Sequence, residues 1–208
     1  MTTKEKMFLE SKAWALEKLS LDKNYFKRLS GSHKPDILWI GSIDSLVPIR
    51  ELINAEPGTV LVYRNMGVQV RFDDLSLMAT IQDAVEVSKV DYIVVCGYSH
   101  CSGIEDVILG SNDRPYVKRW VEELHALYES NSEEFQDKDF EQCTKLLCEK
   151  KIKEQIVNLS QLEVIQKAWE RNDKPILLGW YFDLHNGGLK EIFSMEANYT
   201  LTQVASVF

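Results

Sequence analysis

The feature that most constrains the fold is an alternation of short apolar runs with amphipathic segments in the first half of the chain. Apolar runs lie within 34–42, 59–65 and 91–97, and each is short and rich in β-branched or aromatic residues. The segments between them, 47–58 and 73–90, carry apolar residues at helical spacing. Because parallel strands are joined by helical crossovers, the sequence predicts an α/β fold with a mostly parallel central sheet flanked by helices.

The second half of the chain is predicted to be largely helical, with a pair of strands near its end. A helix opens at Gly103, and a helical pattern covers 114–171 with a polar break at 129–139. A strand, a turn at 185–188 and a second short strand are predicted within 174–193.

Length and apolar content favour a single domain. The chain has 208 residues and 45% hydrophobic content, which is enough for one sizeable core. We therefore predict one domain over 1–208. Its first 30 residues have helical periodicity, and they form most of a predicted N-terminal helical arm, 1–34.

Charge and hydropathy exclude several classes of partner. The net charge is −8 and the basic residues are interleaved with acidic ones, so the chain should repel a phosphate backbone and bind no nucleic acid. No apolar run approaches the roughly 20 residues needed to cross a bilayer, and the N-terminus lacks the features of a secretory signal. We expect a cytoplasmic protein that binds no membrane. Four cysteines do not make a disulfide framework.

Polar and reactive residues follow three of the predicted strands. They lie in 42–46, 64–65 and 96–101, directly after or at the end of each apolar run. In open parallel sheets, sites form beyond the carboxyl ends of the strands. The sequence therefore predicts that these three segments converge on one site.

The same segments carry a family resemblance. The stretches "KPDILWIGSIDSLVP", "PGTVLVYRN" and "DYIVVCGYSHCSG", followed by a helical region and the strand "ILLGWYF", resemble the β-class carbonic anhydrases in order and spacing over nearly the whole chain. The resemblance implies the β-carbonic-anhydrase fold. It also implies a homodimer or a dimer of dimers in which the N-terminal arm wraps a partner subunit.

The resemblance also implies a zinc site, but most of the family's site residues are replaced. The family binds zinc with a Cys, a His and a second Cys, beside an Asp that pairs with an Arg. Carried over by position, these residues are Ser42, Tyr98, Cys101, Asp44 and Leu46, respectively. One glycine of the family's Cys-Gly-Gly end is Ser102.

This set is a poor match to zinc. The hydroxyl of Ser42 stays protonated near neutral pH, and Tyr98 can ligate only as a phenolate, with a free pKa of about 10. Asp44 and Cys101 remain as two ligands, fewer than the three or four that bind zinc tightly. We therefore expect no cofactor, or zinc held only by Asp44 and Cys101, and we expect carbon dioxide hydration to be lost. Leu46 also removes the cation that would hold Asp44 aside.

Two neighbours of the site are open to a second interpretation. Cys96 is expected to be a packed thiol and His100 an exposed loop residue, the alternative being a rebuilt metal site that uses one of them.

Cys101 lies where a helix begins, and backbone N–H groups there lower a thiol pKa. Cys101 is therefore either an inert relic or a reactive thiolate, with Tyr98 and Ser42 as donors and Asp44 as base.

The family resemblance points to one more candidate site. Some members have a regulatory bicarbonate pocket built from a Trp, an Arg and a Tyr. Trp39 and Arg64 match the first two, while the Tyr position falls on Phe182, one residue after Tyr181. Trp39, Arg64 and Tyr181 are thus a candidate anion pocket, the alternative being a structural ion pair made by Arg64.

Three classes of function remain open from the sequence. The first is a non-enzymatic homologue that binds a small anion such as bicarbonate, or another protein. The second is an enzyme with new chemistry in the same cleft, carried by Cys101, Tyr98 and Asp44. The third is a true carbonic anhydrase with an altered metal site. Metal content and the reactivity of Cys101 distinguish them.

Overall fold

The structure is a computed structural model that describes residues 2–31, 34–110, 113–172 and 174–198. Within the chain, a first compact unit ends at Lys34 and a second begins at Pro35. The predicted single domain over 1–208 and its arm over 1–34 include residues 1, 32–33, 111–112, 173 and 199–208, which lie outside the described residues.

The first unit contains two helices, as the helical periodicity predicted. Helix α1 spans Thr3–Leu21 and begins at a capping box, and α2 spans Tyr25–Leu29. Trp14 packs edge-on against Tyr25 and Phe26, with ring centroids 6.2 and 5.7 Å apart. No residue of α1 is buried. Its exposed apolar side chains are Met7, Phe8, Leu9, Trp14, Leu16, Leu19 and Leu21.

The second unit is built on a five-stranded sheet with the order β2-β1-β3-β4-β5. The first four strands in this order run parallel and β5 is antiparallel to β4, which confirms the predicted α/β fold. The strands are β1 (Ile37–Ser42), β2 (Val60–Asn65), β3 (Tyr92–Tyr98), β4 (Ile176–Asp183) and β5 (Gly188–Met195).

Helices connect and flank these strands. The longest, α9, packs against β3, β4 and β5. In chain order the helices are α3 (Ile49–Leu52), α4 (Leu75–Gln82), which continues as a π-helical segment (Asp83–Ser88), α5 (Ser102–Leu109), α6 (Pro115–Trp120), α7 (Glu122–Ser130), α8 (Ser132–Phe135), α9 (Phe140–Ser160) and α10 (Glu163–Asn172).

Two sequence predictions were wrong in extent. The helix predicted over 47–58 is the short α3, because Asn54 and Gly58 adopt positive φ angles of 48° and 90° that no helix tolerates. The region 114–171 is helical over most of its length, as predicted, but its polar break is shorter than expected. It contains separate helices, and α8 forms within the polar segment 129–139.

Helix α9 approaches the sheet unusually closely at two glycines. A Cβ atom on Gly97 would lie 2.4 Å from the Sγ of Cys148, and one on Gly179 would lie 2.6 Å from the Cγ2 of Ile152. Glycine therefore lets the backbones of β3 and β4 pack directly under α9.

None of the described helices is both long and apolar enough to cross a membrane.

Candidate functional site

The sheet brings the predicted site residues of β1 and β3 together at its carboxyl edge. Cys101 follows β3, and its Sγ lies 3.6 Å from the Oγ of Ser42 at the end of β1. The backbone N–H of Ser102, the first residue of α5, donates to the Oδ2 of Asp44 at 2.8 Å. The strands are parallel neighbours, so these contacts follow from the topology.

Asp44 is the centre of a hydrogen-bond network. The Ser42 hydroxyl donates to its Oδ1, the Ser102 N–H to its Oδ2, and the hydroxyls of Ser102 and Tyr98 also interact with the carboxylate. Partial burial raises the pKa of Asp44, but the hydrogen bonds outweigh it and hold the pKa below its ordinary value. The carboxylate therefore stays ionised, with neutral donors around it rather than a cation.

Tyr98 is buried beside this carboxylate. Its side chain is 3% exposed and lies in an apolar cluster with Cys101 and Ile104. Burial, and after it the hydrogen bond to Asp44, raises the pKa of Tyr98 well above its ordinary value. The phenol is therefore a protonated donor, and it is not available as a phenolate ligand.

Cys101 is also buried, with 2% exposure. Burial raises the pKa of its thiol to about 11, although hydrogen bonding to Ser42 and the backbone of Gly103 and Ile104 opposes the rise. Burial and the raised pKa favour the inert relic over the reactive thiolate, the two alternatives that the sequence left open for Cys101. Loss of solvent around the sulfur outweighs the favourable N–H groups of the helix.

The neighbouring residues have simple environments. Cys96 is buried, and burial raises the pKa of its thiol to about 12, in agreement with the packed thiol expected at this position. His100 is exposed, with its Nδ1 3.2 Å from the Oε1 of Glu105. Leu46 is 79% exposed, so the position that carries Arg in the resembled family turns an uncharged side chain to solvent.

The three residues of the candidate anion pocket are not brought together. Trp39 is in register with Val94, and Val94 with Leu178. Side chains alternate along each strand, so Trp180 shares the face of Trp39 and Tyr181 points to the opposite face. The ring contacts agree with this.

Trp39 packs edge-on against Trp180 with ring centroids 5.8 Å apart. The Nζ of Lys145 on α9 lies 5.8 Å from the centroid of the Tyr181 ring, on the other side of the sheet.

Arg64 donates hydrogen bonds to backbone carbonyls instead of lining an anion pocket. Its Nη1 donates to the carbonyls of Ser42 and Ser45 at 3.2 and 2.8 Å, and its Nη2 donates to the carbonyl of Val47 at 3.4 Å. The guanidinium thus holds the loop after β1, which carries Asp44. Sequence reasoning left this role as the alternative, but its partners are carbonyl groups rather than a carboxylate.

The site does not suit zinc. In the described part of the chain, no group of three or more His, Cys, Asp and Glu side chains is arranged to hold a metal ion. Within the candidate site, Ser42 and Tyr98 are protonated donors to Asp44, and the Cys101 thiol is neutral near pH 7. Zinc needs deprotonated ligands, so these residues fit the ion poorly.

Sequence reasoning missed the part that Ser102 has in the site. Both its N–H and its hydroxyl interact with Asp44. The signal was its position, since a Ser that replaces Gly at the first turn of a helix adds a hydroxyl beside free N–H groups.

Comparisons with known proteins agree with the fold. The family model described as carbonic anhydrase matches residues 37–189. A carbonic anhydrase of Emericella nidulans is 33% identical over 192 residues, which cover 91% of this chain and 83% of the relative. One from Helicobacter pylori is 25% identical over 177 residues, with 79% of each chain covered.

Solved structures give the same result. One of two tetrameric β-carbonic anhydrases of Sordaria macrospora superposes with a TM-score of 0.88 at 27% identity, covering 93% of this chain and 98% of that one. A β-carbonic anhydrase of Aspergillus fumigatus superposes with a TM-score of 0.86 at 25% identity, covering 99% and 97%.

Proposed function

This chain belongs to the β-carbonic anhydrase family, and within that family we propose that it is a non-enzymatic homologue that has lost zinc and carbon dioxide hydration. The observation that carries the proposal is the network around Asp44. Ser42 and Tyr98 stand where the family has zinc ligands, and both direct hydroxyl groups at the Asp44 carboxylate. The ligand positions thus stabilise an anion instead of binding a cation.

The alternative of new chemistry in the same cleft has less support. A nucleophile must be accessible and ionisable, whereas Cys101 is 2% exposed and burial raises the pKa of its thiol to about 11. Asp44 is a poor base as well, because its hydrogen bonds hold its pKa below the ordinary carboxyl value. A true carbonic anhydrase with an altered metal site is the other alternative, and the metal experiment below decides it.

The function of a non-enzymatic homologue rests on binding. Support for a bicarbonate pocket of Trp39, Arg64 and Tyr181 is weak, because the Arg64 guanidinium is engaged with carbonyls and Tyr181 lies across the sheet. Protein binding has more support, because the exposed apolar side chains of α1 are numerous and an unburied apolar surface favours association. We propose that the chain forms a homodimer or a dimer of dimers. A cytoplasmic location stays a prediction from the sequence.

Metal content and turnover test the proposal together. The purified full chain, dialysed exhaustively against metal-free buffer so that weakly held surface ions are removed, should retain far less than one zinc per chain and should not accelerate carbon dioxide hydration above buffer. Zinc is to be measured by mass spectrometry and hydration by a stopped-flow pH indicator. One zinc per chain with robust turnover would contradict the proposal.

A restored variant provides the positive control. The triple change Ser42→Cys, Tyr98→His and Leu46→Arg supplies two ligands and the cation beside Asp44, so we expect it to gain zinc and some hydration activity. The matched control is Leu46→Arg alone, which adds the charge without the ligands and should stay inactive. Zinc uptake by the control equal to that of the triple variant would show that the ligand positions are not what limits the site.

A further inference from the structure

Two histidines lie side by side at the carboxyl edge of the sheet, outside the network of Asp44. His100 follows β3 and His185 follows β4, and the centroids of their rings are 5.2 Å apart. The two loops are fixed to each other, because the N–H of Ser99 donates to the carbonyl of Phe182 at 3.1 Å and its hydroxyl accepts from the N–H of Leu184 at 2.8 Å.

Each imidazole is oriented by a carboxylate. The Nδ1 of His100 lies 3.2 Å from the Oε1 of Glu105, and the Nδ1 of His185 lies 3.1 Å from the Oδ1 of Asp183. An ionised carboxylate only accepts hydrogen bonds, so each Nδ1 carries the hydrogen and the Nε2 of the neutral ring keeps its lone pair. Histidines that bind metals are oriented by the same kind of contact.

A third donor is close to one of the free nitrogens. The Oε1 of Glu141, in α9, lies 3.8 Å from the Nε2 of His185. Bonds from a zinc-sized ion to nitrogen and oxygen are about 2.0–2.2 Å each, so one cation can contact both atoms across that gap.

We propose that His100 and His185, with Glu141, form a surface site for a divalent first-row transition metal ion such as Ni²⁺ or Zn²⁺, with water completing the coordination. Imidazole suits these ions. Among the described residues, no three such side chains are arranged to hold one metal ion. The side chains of His100, His185 and Glu141 must therefore rotate before they bind the ion. They can do so readily, because the two imidazole side chains are 57% and 50% exposed and exposed side chains change rotamer in picoseconds to nanoseconds.

The test is a titration of the untagged full chain with Ni²⁺, in which isothermal calorimetry measures the stoichiometry and the affinity. We expect one Ni²⁺ per chain, bound at least tenfold more weakly by His185→Ala and by His100→Asn. Asn is chosen at position 100 because that residue has a positive φ of 65°, which Asn tolerates. Glu141→Gln should weaken binding by a smaller factor.

The chain offers matched controls. His125 on α7 is also exposed and its Nδ1 lies 3.5 Å from a Glu129 oxygen, but it has no imidazole partner in the described structure. His125→Ala should bind Ni²⁺ as the unaltered chain does, and so should a change of His33, which lies outside the described residues. The proposal is overturned if the unaltered chain binds no Ni²⁺ or if His185→Ala and His125→Ala bind it equally.

This inference is independent of the proposed loss of zinc chemistry. Zinc at the surface site would be lost in His185→Ala, whereas zinc at the family position would remain in that variant. Comparing the zinc content of both proteins therefore separates failure of one proposal from failure of the other. Circular dichroism of each variant establishes that it is folded.

Discussion

At the scale of single residues, the site is an anion held by neutral donors. Asp44 keeps its charge because hydroxyl and N–H groups of Ser42, Ser102 and Tyr98 surround it. Buried polar groups that are fully hydrogen-bonded stabilise a fold, whereas removing one partner leaves an unpaired group. The replacements at Ser42 and Tyr98 are thus mutually consistent, since each contributes a donor to the same carboxylate.

Removing the Tyr98 hydroxyl should therefore destabilise the fold. We expect Tyr98→Phe to lower the free energy of unfolding by roughly 1.5–3 kcal/mol, the usual range for a hydrogen bond to a charged group. Urea denaturation followed by tryptophan fluorescence measures it. Tyr116→Phe is the control, because Tyr116 is 89% exposed and its change should cost less than about 0.5 kcal/mol. Equal stability of the two variants would mean that the phenol contributes nothing to Asp44.

Burial of Cys101 makes a prediction about its reactivity. Because burial raises the thiol pKa to about 11, the thiolate is scarce at neutral pH, and the native chain should label far more slowly with iodoacetamide than the urea-unfolded chain. The thiol's contribution to stability is present below the unfolded pKa near 8.5 and is lost as pH rises towards 11. Peptide mass spectrometry of labelled Cys101 from pH 6 to 9 is the measurement. Saturable labelling with an apparent pKa below 8 would instead favour an enzyme.

At the scale of elements, the loop after β1 is organised by a residue on the neighbouring strand. Arg64 lies near the end of β2, in register with Gly41, and its guanidinium reaches three carbonyls of the loop. A planar guanidinium can donate in several fixed directions, whereas the compact ammonium of lysine cannot span the same acceptors. The position of Asp44 thus depends on the pairing of β1 and β2.

Arg64→Lys should keep the charge but lose the bridging. We expect the free energy of unfolding to fall by roughly 1–3 kcal/mol, since buried carbonyls lose donors. The exposed Arg50 on α3 gives the matched control, and Arg50→Lys should change stability by less than about 0.5 kcal/mol. Urea denaturation compares them, and a lysine at 64 that is as stable as the unaltered chain would argue against the bridging role.

At the scale of the whole molecule, the first unit has an unusual surface. Helix α1 carries seven large apolar side chains that are exposed and none that is buried. A helix with so much unburied apolar surface gains free energy when another surface covers it. This supports the proposed assembly of several chains.

Charges on α1 should therefore weaken assembly. We expect the full chain to have a solution mass of two or four times its 24.0 kDa, and Phe8→Glu with Leu16→Glu to shift it to smaller species. Lys12→Glu, on the same helix, is the control for added negative charge. Light scattering during size-exclusion chromatography measures the masses, and an unaltered mass in the double variant would exclude α1 from the interface.

The sequence by itself determined where the strands lie and that helical crossovers join them into a mostly parallel sheet. It also determined that Ser42, Asp44 and Cys101 converge. It could do so because hydrophobic periodicity and strand ends are local properties. The sequence pattern also overestimated the length of α3, because the left-handed turn at Asn54 has no strong sequence signal.

Only the tertiary structure decided what the converging groups are able to do. The face of Tyr181 depends on the register between β3 and β4, and the acceptors of Arg64 depend on the path of a loop from another strand. Packing removes solvent from the thiol of Cys101 and raises its pKa, and that desolvation outweighs the N–H groups at the start of α5. Burial and register depend on distant residues, so no local pattern of the chain specifies them.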